Sequence, residues 1–216
     1  MGAPQGGGGS RLERLDARYR AHHGHRKEFV FGADDRARLI AALVGGPGLR
    51  VLDLGCRTGA LTQHYAEGNE VVGVDVDHAA LEQAAARLGI ETVWADVEEG
   101  LPFDDATFDV VVAGELLEHL ADPAAAVANV MRVLKPGGRF VGSVPNAFRL
   151  KSRLRYLAGR QPETDATHLQ LFTPEALRAL LAGFEELQVR FAVGRYVRLQ
   201  PRLMARVQVF SGRKAR

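Results

Sequence analysis

The chain has a single cysteine, Cys56, so no internal disulfide can form, and a reducing cytoplasm is the simplest compartment for it. No apolar run reaches the roughly 18 residues that a membrane-spanning helix needs. The first ten residues, Met1 to Ser10, are rich in glycine and lack an apolar core. They read as a flexible tail rather than a secretory leader. No internal repeat is evident. Aromatic residues make up 7% of the chain, and the basic stretch 146–160 interleaves its cations with only one of them, Tyr156. A stacking platform for single-stranded nucleic acid needs more.

What remains is the composition of one soluble globular domain: 216 residues, 46% hydrophobic and 25% charged. The net charge of +2 conceals an asymmetry. From Leu61 to Ala126 there are fifteen acidic residues and one basic residue, Arg87; from Leu187 to Arg216 there are eight basic residues and no acid. Such polarity can steer an anionic substrate or partner.

Hydrophobic periodicity divides the chain into alternating elements. Leu12, Leu15, Tyr19 and His22 share one face of a helix over 11–23, and 34–44 forms a second helix that ends at Gly45-Gly46-Pro47-Gly48. Short apolar strands follow at 50–54, 70–76, 92–95, 108–113 and 139–144. Helices are expected at 60–67, at 79–88 and from Pro123 to Leu134, where Lys135-Pro136-Gly137-Gly138 breaks the last. A basic segment, 146–170, interrupts the pattern; its Leu150, Leu154 and Leu157 alternate with arginines as in an amphipathic helix over the active site. Thr173 caps a helix to Leu181, and strands at 187–193 and 205–211 close the chain. The alternation predicts an α/β fold, a mainly parallel, doubly wound seven-stranded sheet with a small helical cap. Residues 11–216 would form one domain, with N-terminal helices at 11–44, a cofactor-binding core at 45–145, a cap at 146–172, and a closing helix and strands at 173–216. Ligands of such sheets bind beyond the carboxyl ends of the strands.

Val51-Leu52-Asp53-Leu54-Gly55-Cys56-Arg57-Thr58-Gly59 is a buried strand that runs into a glycine turn. Gly55 and Gly59 let the backbone turn sharply and approach a ligand. Asp75 ends the next strand, 22 residues after Asp53, where a carboxylate can accept from both hydroxyls of a ribose. A dinucleotide turn would read G-x-G-x-x-G, whereas this one reads G-x-x-x-G with Arg57 in its third position. Asp53 beside the turn would repel a pyrophosphate and suits an ammonium or sulfonium cation. The spacing favours S-adenosylmethionine over a nicotinamide dinucleotide.

These residues resemble motif I of the class I S-adenosylmethionine-dependent methyltransferases, within which the chain is similar to the type 11, UbiG-like group. Val71 to Asp77 resembles their second motif and Ala95-Asp96-Val97 their third. Phe108 to Val112 and Leu134 to Gly138 resemble the fourth strand and the turn before the fifth. The resemblance implies a Rossmann-like methyltransferase fold and S-adenosylmethionine as cofactor. It implies a cofactor site at Asp53, Gly55, Cys56, Arg57, Gly59, Asp75, Val76, Asp96, Val97 and Gly114. The family usually has glycine at the position of Arg57, so the turn here must accept a side chain that points outward.

Methyl transfer requires a positioned acceptor and, for an oxygen acceptor, help with proton loss. Glu115, Glu118 and His119 follow the fourth strand at i, i+3 and i+4, which would put them on one helical face; His168 comes later. The set resembles that of metal-dependent O-methyltransferases acting on vicinal diols or catechols, including the small-RNA terminal-ribose and ubiquinone-pathway enzymes. This implies Glu115, Glu118, His119 and His168 as ligands of Mg²⁺ or another divalent cation. Without a metal, His119 is the candidate general base, with His168 beside it. The expected product is a methylated hydroxyl of a small diol, catechol or sugar. The basic segment would favour an anionic or carrier-linked acceptor, and no membrane partner is expected. Near the N-terminus, His22, His23 and His25 form a cluster, and Tyr19, His25 or Phe31 could line the site. Pro145-Asn146 through Thr173 also resembles the MetW family of methionine biosynthesis, which implies a rival role: a cofactor-binding partner of an acyltransferase with little transferase activity.

Overall fold

Residues buried on both faces need β-branched and aliphatic side chains at every position, and the apolar runs of this chain meet that demand. They form β1 (Arg50–Leu54), β2 (Glu70–Asp75), β3 (Glu91–Trp94), β4 (Phe108–Gly114) and β5 (Leu134–Pro145). The two closing strands are β6 (Glu185–Ala192) and β7 (Val207–Arg213). They make one seven-stranded sheet in the order β3-β2-β1-β4-β5-β7-β6. All pairs are parallel except those of β7, which runs antiparallel to β5 and to β6. The computed structural model describes residues 10–23, 33–161, 165 and 167–216. The tail before Ser10, His25, Phe31 and the side chains of His22 and His23 lie outside the described residues.

Alternation along the strands builds two cores. Leu52, Leu54, Val72, Val74, Val111 and Ala113 pack on one face against α4 (Pro123–Val133) and α6 (Pro174–Leu180). Val51, Val71, Val110, Val112 and Val141 pack on the other with Ile40 and Val44 of α2 (Ala33–Val44). Helix α3 (His78–Leu88) begins on Asp77, whose side chain accepts from the Ala80 amide, and ends on Gly89 at φ 66°. Asp122 and Thr173 cap α4 and α6 in the same way. The remaining helices are α1 (Arg11–His23), α5 (Leu150–Leu157) and the short α7 (Pro201–Met204). Among the described residues no helix is long and apolar enough to cross a membrane.

Three local expectations are corrected. The helix expected over 60–67 is a single 3₁₀ turn, Thr62–His64, because the hydroxyls of Thr62 and Tyr65 both donate to Asp53 Oδ2, at 2.6 and 2.7 Å, and draw the segment against β1. Lys135 to Gly138 does not separate two elements; it bulges out of a continuous β5, so that Phe108 pairs with Leu134 and Val110 with Arg139. The stretch after β4 is not a helix either. Glu115 sits at φ 58° and only Leu117–His119 forms a 3₁₀ turn, which scatters Glu115 and Glu118 instead of stacking them on one face.

Candidate active site

The chain reverses its strand order between β1 and β4, and the turn after β1 opens at that point, as in other doubly wound sheets. Gly55 and Gly59 both adopt φ 73°. A Cβ on Gly59 would lie 2.5 Å from Leu88 Cδ1, so glycine also brings α3 close to the turn. Arg57, at φ 48°, holds a left-handed conformation that glycine would take without strain. Its amide donates to Asp75 Oδ2 at 2.9 Å, while Asp75 Oδ1 accepts from the Asp77 amide at 2.8 Å. Burial pushes the Asp75 carboxyl above its usual range, and those two amides oppose the shift.

A cavity of about 180 Å³ lies over this turn. Gly55, Arg57, Asp75, Val76, Asp96, Val97 and Glu98 line its inner side. Glu115, Leu116, His119 and Leu120 follow from the end of β4, with Leu169 beside them. Helix α1 covers it with Arg11, Leu15, Arg18 and Tyr19. Arg11 clips that helix down: its guanidinium lies 2.9 Å from Asp96 Oδ2 and 2.8 Å from Glu98 Oε2. The Asp16 carboxylate accepts from the His78 amide, the first of α3.

The expected cofactor residues divide into two groups. Gly55, Arg57, Asp75, Val76, Asp96 and Val97 line the cavity. Asp53, Cys56, Gly59 and Gly114 do not. Asp53 is buried beneath the turn on Thr62 and Tyr65, and its burial raises its pKa to about 6. The Cys56 thiol packs against Gly73 and is pushed up by burial, so it is neither a nucleophile nor a cavity group. A Cβ on Gly114 would meet Leu61.

A second cluster adjoins the cavity. Glu118, His119 and His168 each offer a ligand atom, and these atoms all lie within 4.8 Å of one another. His119 Nδ1 lies 3.2 Å from the Thr167 carbonyl. A carbonyl only accepts, so Nδ1 is the donor in this contact. The rings of His119 and His168 meet edge to face at 4.7 Å, and Asp165 lies 3.7 Å behind His168 Nε2. Glu118 is 1% exposed, and neither carboxylate oxygen has a hydrogen-bond partner among the described residues. Burial, and then the charge of Glu115, push its pKa well above the usual carboxylate range. Glu115 itself turns elsewhere: it accepts from Ser143 Oγ at 3.0 Å and pairs with Arg36 at 3.5 Å. The structure thus gathers three of the four expected metal ligands and directs Glu115 to Ser143 and Arg36.

Sequence reasoning missed Arg11, Arg18, Arg36, Glu98 and Leu169. Arg11, Arg18, Arg36 and Leu169 reach the site across the fold, where no local pattern marks them, whereas Glu98 adjoins the expected Asp96-Val97.

The donor set of the cavity decides what it can hold. Asp75, Asp96, Glu98 and Glu115 are four acceptors that match ribose hydroxyls, an exocyclic amine and an ammonium, and Arg11, Arg18 and Arg57 line the cavity beside them. The sheet order and the turn after β1 are those of the Rossmann-like methyltransferase fold. Residues 52–142 match the family described as a methyltransferase domain. The ubiquinone biosynthesis O-methyltransferase of Alkalilimnicola ehrlichii is 40% identical over 118 residues, 51% of this chain and 48% of that protein. The ubiquinone/menaquinone biosynthesis C-methyltransferase UbiE of Desulfotalea psychrophila is 40% identical over 123 residues, 53% of this chain and 50% of that protein. The chain spans about half the length of the relatives it matches. Among solved structures, a SAM-dependent methyltransferase from Archaeoglobus fulgidus superposes with a TM-score of 0.64 at 21% identity, covering 94% of each chain. The [4+2]-cyclase SpnF superposes with a TM-score of 0.65 at 21% identity, covering 88% of this chain and 86% of that one. That second likeness shows that the fold alone does not specify the reaction.

Proposed function

We propose that the chain methylates a hydroxyl of a small diol, catechol or sugar, with S-adenosylmethionine as donor. The observation that carries this reading is His119: its Nδ1 is engaged by the Thr167 carbonyl, and its ring lines the carboxylate-rich cavity beyond β4. The cofactor supplies an electrophilic methyl group on a sulfonium. The chain supplies the rest. In this reading Asp75 and Asp96 accept from ribose and base, Glu115 is the acid nearest the end of β4, and Nε2 of His119 takes the acceptor's proton. The single buried thiol is consistent with a cytoplasmic setting.

The test is transfer of labelled methyl from S-adenosylmethionine to a catechol. His119→Ala should lower kcat about a hundredfold or more, and Asp75→Ala should weaken cofactor binding. Unchanged turnover in His119→Ala would overturn the role of that residue. Tight cofactor binding without transfer to any hydroxyl acceptor would favour the MetW-like role.

The orphaned Glu118 carboxyl supports an alternative to the base: a divalent cation held through His119 Nε2, which then cannot take the proton. One buried carboxylate and two imidazoles form a donor set for a divalent metal; imidazole suits iron or zinc, and the carboxylate suits magnesium or manganese. Bound there, such an ion would hold two neighbouring hydroxyls and lower the pKa of one. Chelation should then abolish transfer and added Mn²⁺ restore it; full activity of metal-stripped protein would remove the metal from the mechanism.

A further inference from the structure

A second cavity, of about 520 Å³, lies between α5 and the loop that joins β6 to β7. It opens on the same sheet edge as the cofactor cavity, because β5 ends there and β7 begins there, Pro145 pairing with Val207. Two strand spacings, roughly 10 Å, separate the end of β4 from the start of β7.

Arg149, Lys151, Arg155, Arg160, Arg195 and Arg206 line it, and no carboxylate does so among the described residues; Arg149 and Arg206 have partners of their own. Residues 146–161 carry five cations and no acid, with Glu163 and Asp165 just beyond, and residues 194–206 carry four cations and no acid. The fold fastens these two basic walls together. The buried Asn146 side chain donates to the carbonyls of Arg202 and Ala205, at 2.9 and 3.1 Å, and its amide donates to the Arg206 carbonyl at 2.8 Å. The Arg206 amide in turn donates to Val193, a β-branched residue held at φ 63°. A Cβ on Gly194 would lie 2.6 Å from the Met204 carbonyl oxygen. Strain of this kind persists where the surroundings over-determine it, often at ligand sites.

The floor is apolar, with Leu150, Leu154, Leu203 and Met204. Leu154 is 56% exposed despite lining a cavity. One guanidinium satisfies one carboxylate, whereas a set of guanidinium forks around one space matches phosphate oxygens. We infer that this cavity binds the phosphate or pyrophosphate group of a molecule whose body is apolar. If the methyl-transfer reading holds, on which this last step rests, that molecule is the acceptor, gripped by its phosphate while its far end reaches His119.

Calorimetry on the full chain tests the site directly, with four probes. Dodecyl phosphate below its micellar concentration should bind best and inorganic pyrophosphate more weakly. Dodecyl maltoside, a neutral amphiphile, should not bind measurably. The double variant Arg155→Ala/Arg195→Ala should weaken dodecyl phosphate binding about tenfold or more and leave S-adenosylhomocysteine affinity unchanged, which also shows that the variant folds. Its apo form should melt no lower than the parent, since like charges have been removed. Equal binding of the neutral amphiphile, or no effect of the double variant, overturns the inference. So does binding to phosphatidylglycerol vesicles without binding of either soluble phosphate, since that would mark a membrane surface instead. Transfer to an unphosphorylated catechol is a separate readout, so failure here and failure of the methyl-transfer reading are distinguishable.

Discussion

Arg57 shows how one residue can bear two opposing effects. Its backbone is left-handed, which costs a non-glycine residue roughly 1–2 kcal/mol, while its amide anchors Asp75 and its side chain borders the cavity. Glycine removes the strain but gives back part of the gain as unfolded-chain entropy. Arg57→Gly should therefore raise stability by about 0.5–1 kcal/mol in denaturant titration. A loss of stability would mean that the side chain contributes more than the backbone costs. Glu118 is the other informative residue. Because its buried carboxyl is pushed toward the neutral form, Glu118→Gln replaces one neutral group by another of the same shape. The apo variant should melt at or above the parent temperature above pH 7, yet lose about tenfold or more in Mn²⁺ affinity, in keeping with removal of one ligand. Unaltered Mn²⁺ binding by the variant would exclude Glu118 as a ligand.

At the scale of elements, the strands were legible because burial on both faces leaves a continuous apolar run that nothing else requires, as in Val110-Val111-Val112. Helix ends were legible for the same local reason: Pro123 in the first turn of α4, Thr173 before Pro174 and Gly89 after Leu88 each act on the adjacent turn, whereas the Asp122 cap was not read. The failures share a cause. Residues 60–67 have helical composition, but two hydroxyls are pulled to Asp53, a strand away. The Glu115-to-His119 stretch has helical spacing, but Glu115 is turned by Ser143, 28 residues on, and by Arg36. In the site, the turn and Asp75 were readable from spacing, whereas the contacts of Arg11 and Leu169 cross the fold. Helix α1 is the clearest case of an element made by its contacts. Thirteen residues are marginal for an isolated helix in water, so its order rests on Arg11 with Asp96 and Glu98, on Asp16 with the His78 amide, and on the cavity beneath. The cavity it covers, about 180 Å³, is below the roughly 300 Å³ at which ligand pockets begin, so α1 and its Arg11, Arg18 and Tyr19 side chains are the part expected to shift when a nucleoside enters. Arg11→Ala combined with Asp16→Ala should speed amide exchange across 11–23 selectively and increase the cofactor's dissociation rate. Uniform exchange changes throughout the chain would show that α1 is no separate unit.

At the scale of the whole molecule, burial has placed several carboxylates around the turn after β1 and the end of β4 where ionisation is costly. Asp53, Asp75 and Glu118 all have raised pKa values, in each case with burial as the largest cause. A raised folded-state pKa means that the native state holds more protons than the unfolded chain between the two pKa values. Stability from such a group is complete below the unfolded pKa and is lost as pH rises through the folded one. For Asp53 the window runs from 3.8 to about 6, worth on the order of 3 kcal/mol at 1.36 kcal/mol per unit. The apo protein should thus be less stable at pH 7.5 than at pH 5, and Asp53→Asn, whose amide oxygen can still accept from Thr62 and Tyr65, should flatten that slope. A cationic ligand reverses the sign for the carboxylate it meets. The sulfonium of S-adenosylmethionine favours the ionised form of the carboxylates around it, so its binding should release protons and tighten as pH rises. S-adenosylhomocysteine, which lacks that charge, should show the smaller dependence. Calorimetry at pH 6 in two buffers of different ionisation enthalpy counts the protons. Equal release by both ligands would mean that the carboxylates of the cavity do not sense the sulfonium, and that the site selects its cofactor by hydrogen bonding alone.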